Sequence, residues 1–201
     1  MLPEALIGRP RCFDPDSALD AAIEIFRLRG YDGASVESLT EAMGISRASM
    51  YQAFGDKHEL YVKALDRYLD RNVSASVAVL EGEGGLDAID QIFERTARGL
   101  HASATDEPPC LIYRCGVELA PRDPETAQRA AIVRDRLHAA YAHALRAAID
   151  AGDLSGEAPV ERLAWSLVFL QHGALSTVGS PPDAEVIEQA PRALLEPYRA
   201  R

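Results

Sequence analysis

The sequence predicts an all-α protein of about nine helices, with a small three-helix N-terminal unit followed by a larger helical one, and three observations carry that expectation. Apolar residues recur at three- and four-residue spacing through most of the chain. Side chains that cap helix N-termini stand repeatedly before those periodic runs, and glycines stand after them. No segment alternates apolar and polar residues as a half-buried strand would, and Ala-rich and Leu-rich blocks add helix propensity.

Each element follows from its own signals. Asp14 is an N-cap followed by Pro15 at the first helical position. The run "DPDSALDAAIEIFRLR" (14–29) then places Ala18, Ala22 (or Ala21), Ile25 and Phe26 on one face, and Gly30 stops it. Ser35 caps "VESLTEAM", which ends at Gly44, and Ser46 caps "RASMYQAF", which ends at Gly55. Asp56 caps a fourth helix, with Glu59 three residues on as the reciprocal half of a capping box. That helix runs from Lys57 to about Leu80, roughly 36 Å at 1.5 Å per residue, long enough to leave one bundle and enter another. "EGEGG" (81–85) breaks it. A fifth helix covers about 86–104, and "TDEPP" separates it from a sixth around 110–120. In "APRDPET" Asp123 caps and Pro124 opens a seventh helix reaching Gly152; "SGEAP" leads into an eighth (159–178) and "GSPPD" into a ninth (about 183–198). The expected division is an arm (1–13), a first unit (14–60) and a second (61–201).

At 201 residues the chain has room for two small cores. Its 47% apolar content fits an ordinary globular protein, and no run of about 18 uncharged apolar residues offers a membrane span. The N-terminus "MLPEALIGRPR" lacks the basic and apolar regions of a secretory signal. Three cysteines, Cys12, Cys110 and Cys115, do not make a full disulfide framework, and the expected location is the cytoplasm. The net charge of −10 argues against a nonspecific coat for nucleic acid. Even residues 1–63 carry seven basic against ten acidic side chains, so any DNA contact must come from locally clustered positive groups and helix N-termini.

The stretch "EAMGISRASMYQAFGDKHEL" (41–60) supplies such a cluster. Gly44, Ile45 and Ser46 form a three-residue turn between two short helices, the arrangement of a helix-turn-helix. With Met50 and Phe54 inward beside Leu39, Ile25 and Phe26, the outward or flanking residues are Arg47, Ala48, Ser49, Tyr51 and Gln52. Placed in a major groove, Arg47 can reach guanine edges or phosphate and Gln52 an adenine edge. Ser49 and the Tyr51 hydroxyl can donate to phosphate oxygens. Lys57 adds its charge to a helix N-terminus, where free N–H groups already favour an anion. Arg9 and Arg11, in "GRPR", make a short basic arm suited to a minor groove or to phosphates. Ser46, and Ser35 at the start of the preceding helix, complete the set expected at double-stranded DNA.

The run "ALDAAIEIFRLRGYDGASVESLTEAMGISRASMYQAFGDKHELYVKAL" closely resembles the DNA-binding domain of the TetR/AcrR family of bacterial transcriptional regulators. The resemblance implies a homodimeric, all-helical repressor. Carried over by position, it puts Ser46, Arg47, Ser49, Tyr51 and Gln52 on the recognition helix and Lys57 on a phosphate, while Ala48 takes a slot that varies widely. "PPCLIYRCGVELAPRDPE" is similar to a branch of that family reading roughly "GCLLVNxAVELAPRDPE", which Cys110 matches and from which Tyr113 and Arg114 depart. The family's fourth to seventh helices surround an inducer pocket, and its last two make a dimer bundle.

The second unit read on its own residues agrees in part. Leu137, Tyr141, Ala144, Leu145, Ala148 and Ile149 form one apolar stripe. The eighth helix is apolar nearly all round from Leu163 to Leu170, as expected of a helix buried on several sides. With Gly173 and Ala174 permitting close approach, and Val186, Ile187, Ala190, Leu194 and Leu195 on the ninth, a partner subunit or a monomer core could cover it. Candidate pocket residues are Tyr61, Tyr68, Phe93, His101, Tyr113, His138, Tyr141, Trp165 and Phe169; Arg114 would favour an anionic ligand only if it pointed inward.

Other chemistries find little. His138 and His143 stand five apart, roughly 140° around a helix, which does not suit a shared metal. There is no CxxC, HExxH, GxSxG, phosphate loop or dinucleotide fingerprint. No enzyme activity, metal or cofactor is expected. The function expected is a ligand-responsive regulator, a repressor binding a pseudo-palindromic operator as a homodimer and released by a small-molecule inducer. Two alternatives stand beside it. One is a sensor of electrophiles or oxidants through Cys110, whose place at a helix start favours thiolate. The other is a small-molecule binding protein with a weakened DNA motif.

Overall fold

The computed structural model describes residues 13–103, 110–177 and 180–200, apart from the side chains of Ser103 and Tyr113. Among the described residues the chain is all-α, with nine α-helices and one short 3-10 turn. The first three are α1 (Pro15–Gly33), α2 (Val36–Ala42) and α3 (Arg47–Phe54), packed under the start of α4 (Lys57–Leu80). Then follow α5 (Gly85–Ser103), α6 (Leu111–Leu119), α7 (Pro124–Asp150), α8 (Val160–Leu175) and α9 (Ala184–Leu195). No helix of the described residues is long and apolar enough to cross a membrane.

Local side chains set most of these boundaries. Asp14 accepts from the N–H groups of Asp16 and Ser17, Ser35 from Ser38, Ser46 from Ser49 and Asp123 from Thr126. Each satisfies a donor that the first helical turn leaves without a partner. Asp56 and Glu59 form the reciprocal box, at 2.9 and 2.8 Å. The end of α1 is less simple than a glycine stop. Gly30 leaves helical geometry at φ 72°, ψ 178°, yet one further turn continues to Gly33.

The N-terminal core gathers Ala18, Ala22, Ile23, Phe26, Leu39, Met50, Phe54 and Leu60. The face of α1 is rotated from the expected one: Ile23 is buried, whereas Ile25 is half-buried and packs at the edge. Ile45, in the turn after Gly44 (φ 64°), also packs on that core. Lys63 donates to the Phe54 carbonyl at 2.6 Å and so ties the end of α3 to α4.

In the larger unit α7 crosses α4, α5 and α8, and its stripe of Leu137, Tyr141, Ala144, Leu145 and Ala148 is buried. Helix α8 buries Leu163, Ala164, Leu167, Val168 and Gln171 against its own chain and turns Phe169 outward, 63% exposed. The ninth helix divides likewise. Ile187, Pro191 and Leu195 face inward, while Val186 is exposed and Leu194 half-buried. The apolar residues of these two helices therefore fall on two faces, only one of which this chain covers.

Candidate nucleic-acid interface and cavity

Helix α3 is short, and its two large apolar side chains decide which way it faces. Met50 and Phe54 are buried, which leaves Ser46, Arg47, Ala48, Tyr51 and Gln52 exposed and Ser49 half-buried. The Ser46 and Ser49 hydroxyls lie 2.9 Å apart, one donating to the other. Arg47 approaches Glu37 of α2 at 3.6 Å, both ends well exposed, a pair too solvated to hold the guanidinium strongly. Tyr51, 51% exposed, presents a large ring to solvent from the middle of this face. Ser35 is exposed at the start of α2, with its oxygen engaged by the Ser38 N–H at 3.1 Å. Arg9 and Arg11, with the rest of the arm and Cys12, lie outside the described residues.

Lys57 sits at the first position of α4 with its ammonium 4.4 Å from the centroid of the Tyr31 ring. It makes no hydrogen bond or ion pair to the described residues, so its N–H donors are unspent. Burial pulls its pKa below the ordinary lysine value, while the Asp32 carboxylate works against that shift.

Tyr31 also belongs to a clasp between the two units. The N–H groups of Tyr31 and Asp32 donate to the two carboxylate oxygens of Glu118 on α6, at 2.9 and 2.7 Å. Beside them Arg122 pairs with Asp32, and His58 approaches Asp123, the α7 cap, at 3.2 Å. The Thr126 hydroxyl, with His58 adding to it, holds the Asp123 carboxyl below the usual range. Cys115 lies fully buried one turn before Glu118, its thiol donating to the Phe26 carbonyl at 3.7 Å; burial pushes its pKa up to about 12. That thiol is packed and un-ionised at neutral pH.

The other side of α6 faces a half-open cavity of about 530 Å³ walled by α4, α5, α6, α7 and α8, with Arg27 of α1 also on its wall. Of the side chains expected to line a pocket, Tyr68 does, and Cys110 stands beside it. The remaining described ones go elsewhere. Tyr61 is buried among Phe26, Tyr31 and His58 beneath α1. Phe93 and Tyr141 fill core, with the Tyr141 hydroxyl donating to Gln171 at 3.0 Å. His101 sits on the surface with its Nδ1 2.9 Å from the Ala97 carbonyl. His138, Trp165 and Phe169 form an outward stack, with centroids 4.2 and 5.9 Å apart. The side chain of Tyr113 lies outside the described residues, and Arg114 is exposed beside Gly30, away from the cavity. Sequence reasoning missed Glu118, Arg27, Arg95, Gln171 and His172. For Glu118 a signal existed, since it lies in the "VELAPRDPE" run; the others had none beyond a place on a helix.

Comparison with known proteins bears on the whole chain. Residues 18–64 match the family model described as bacterial regulatory proteins, tetR family, and residues 85–194 match the one described as tetracyclin repressor-like, C-terminal domain. The chain is 34% identical over 152 residues to the uncharacterized HTH-type transcriptional regulator YezE of Bacillus subtilis (strain 168), covering 75% of this chain and 78% of that protein. Over 64 residues it is 44% identical to the HTH-type transcriptional repressor ComR of Escherichia coli (strain K12), 32% of this chain and 30% of ComR. Among solved structures it is similar to a cysteine mutant of the TetR-family transcriptional regulator CifR complexed with 26-base-pair operator DNA. The TM-score is 0.79 and the identity 27%, over 95% of this chain and 100% of that one. With a helix-turn-helix whose polar face is exposed and with both family models matched, the chain belongs to the TetR family of bacterial regulatory proteins and is a DNA-binding transcriptional regulator.

Proposed function

We propose that this regulator is a cytoplasmic, ligand-responsive repressor that binds a pseudo-palindromic operator as a homodimer and is released when a small molecule fills the α4–α8 cavity. The observation that carries this reading is the double role of α6. Ile112, Gly116 and Val117 line the cavity, and Glu118 on the same helix holds two backbone N–H groups of the DNA-binding unit. A ligand that moves α6 therefore acts on Tyr31, and through its ring on Lys57. The ligand must prefer the state that does not fit DNA, because equal affinity for both states would shift nothing.

In this reading two α3 helices enter major grooves about one duplex turn, roughly 34–36 Å, apart. Arg47 and Gln52 reach base edges, and Ser46, Ser49, Tyr51 and Lys57 contact phosphates, with Ala48 against the groove and Ser35, Arg9 and Arg11 alongside. Gln52→Ala is expected to change preference at one base step, by an amount on the order of 1–3 kcal/mol, leaving other positions as they were. Titration of single-substituted operator variants measures this, and unaltered selectivity would remove Gln52 from base readout.

The outward faces of α8 and α9 support the dimer. Phe169→Glu puts a charge where the chain itself buries little, so the fold should persist while the dimer dissociates. Sedimentation should then show a monomer with much weaker operator binding. A wild-type chain that is already monomeric, or a variant that stays dimeric, would defeat this assignment.

Cys110 gives a second reading, because it is half-buried on the cavity wall beside Tyr68. An electrophile or oxidant entering there would modify it and act on α6 directly. Release of DNA by such a reagent should be lost in Cys110→Ser; release that persists in the variant ends the thiol reading.

A further inference from the structure

The reading of the cavity as the inducer site leaves open what chemistry it selects, and the inference below rests on that reading. The chain is acidic, with 31 Asp and Glu against 21 Lys and Arg. The cavity reverses that balance: its described wall carries Arg27 and Arg95 and no Asp or Glu. The reversal acts at short range, since charges elsewhere on the molecule are screened over roughly 8–10 Å at ordinary salt.

The polar groups sort by what they still have to offer. Ser76 and Thr96 spend their hydroxyl protons on the carbonyls of Asn72 and Ile92, at 3.1 and 2.9 Å. Asn72 spends amide hydrogen on the Tyr68 carbonyl at 3.0 Å. Gln171 accepts from Tyr141 through its oxygen, which leaves its side-chain NH₂ without a partner among the described residues. Arg95 makes no ion pair or hydrogen bond to them either. Arg27 is shared with Glu24 at 2.9 Å and lies over the Tyr68 ring. What remains on offer is positive charge, N–H donors and the neutral oxygens of Asn72, Ser76, Thr96 and Gln171, beside Tyr68 and Cys110, and the described wall has no carboxylate to pair with a cation.

Position sorts the wall a second way. Arg95 is exposed, whereas Val73, Ile92, Leu100 and Val133 are buried. An occupant would leave its charged end at the mouth and bury its apolar body. The volume of about 530 Å³ lies within the roughly 300–1,000 Å³ typical of pockets for small ligands.

We propose that the cavity selects an anionic amphiphile, a small molecule with a carboxylate or similar head set against Arg95 and an apolar chain or ring system set among Val73, Ile92, Leu100 and Val133. His172 on the same wall is held mainly neutral by burial, with Arg134 adding to the effect, and so can donate to or accept from the head without cancelling its charge.

Three probes of one chain length test this on the full-length protein: decanoate, 1-decanol and decyltrimethylammonium, titrated calorimetrically with the two ions below their micellar concentrations and the alcohol below its solubility limit. Decanoate should bind at least tenfold more tightly than 1-decanol, as a charge-assisted hydrogen bond provides, and the ammonium should not bind. Arg95→Met should bring decanoate down to the level of 1-decanol without changing 1-decanol, and Arg95→Lys should restore part of the preference. Equal binding of decanoate and 1-decanol, binding of the cation, failure of decanoate to bind, or indifference to Arg95→Met would each overturn the proposal. Operator release is read separately. Anion selection without release of DNA would refute the inducer role and leave the ligand class standing; release by a neutral compound acting in this cavity, with no anion preference, would do the reverse.

Discussion

Replacing Gly30 with alanine is expected to destabilise the protein by about 2–4 kcal/mol, because two independent costs coincide. At φ 72°, ψ 178° the backbone occupies a region essentially reserved for glycine. A Cβ built there would also lie 2.6 Å from the Glu118 carboxylate oxygen, the acceptor of the Tyr31 N–H. The carboxylate would have to move and release one or both N–H groups it holds, so the variant should lose coupling between the units as well as stability. Gly33→Ala is the control. Gly33 has no left-handed φ, and its Cβ would meet Arg29 at an ordinary 3.5 Å, so stability should stay within about 0.5 kcal/mol of wild type. Urea unfolding of the two variants decides the matter: equal curves would mean that the α1–α6 clasp is not under the constraint described.

The largest functional effect is expected from Lys57→Ala. Its ammonium makes no ion pair or hydrogen bond to the described residues, with Asp32 acting on it only at longer range, so its N–H donors are available to a phosphate at the α4 N-terminus. Loss of one charge-assisted contact per protomer should weaken operator binding by about 10- to 100-fold, for all operator sequences alike. Two lost contacts in a dimer should also reduce the slope of log affinity against log salt by about 1.8. Lys57→Arg should retain much of both. Stability should change by no more than about 1 kcal/mol, the scale of a part-exposed cation–π contact, which separates a DNA effect from unfolding. Fluorescence anisotropy across a salt series measures this, and an unchanged slope would refute the phosphate assignment.

Legibility in the sequence followed the distance between interacting residues. The caps at Asp14, Ser35, Ser46, Asp56 and Asp123 all reach donors two or three positions away, and all were readable without the fold. The exposed set on α3 was readable too, because a helix of eight residues with Met50 and Phe54 four apart has one way to face. The rotation of α1 was not, since both Ile23 and Ile25 lie near an apolar face and packing against α4 and α6 chose between them.

The pocket prediction shows the limit more sharply. An aromatic side chain stabilises a core, a ligand wall or a subunit interface by the same removal of apolar surface from water, so residue type could not sort Tyr61 into the first, Tyr68 into the second or Phe169 among the residues left exposed. Glu118 stood in the "VELAPRDPE" run, yet nothing in that run named its donors, the Tyr31 and Asp32 N–H groups 87 and 86 residues away. By itself the sequence determined where the helices begin and end, that two of them make a helix-turn-helix, and the family to which that motif points. Only the tertiary structure decided which helix clasps the DNA-binding unit and which charges line the cavity. Caps act within one turn of chain, whereas a cavity's wall is set by how several helices rotate against one another.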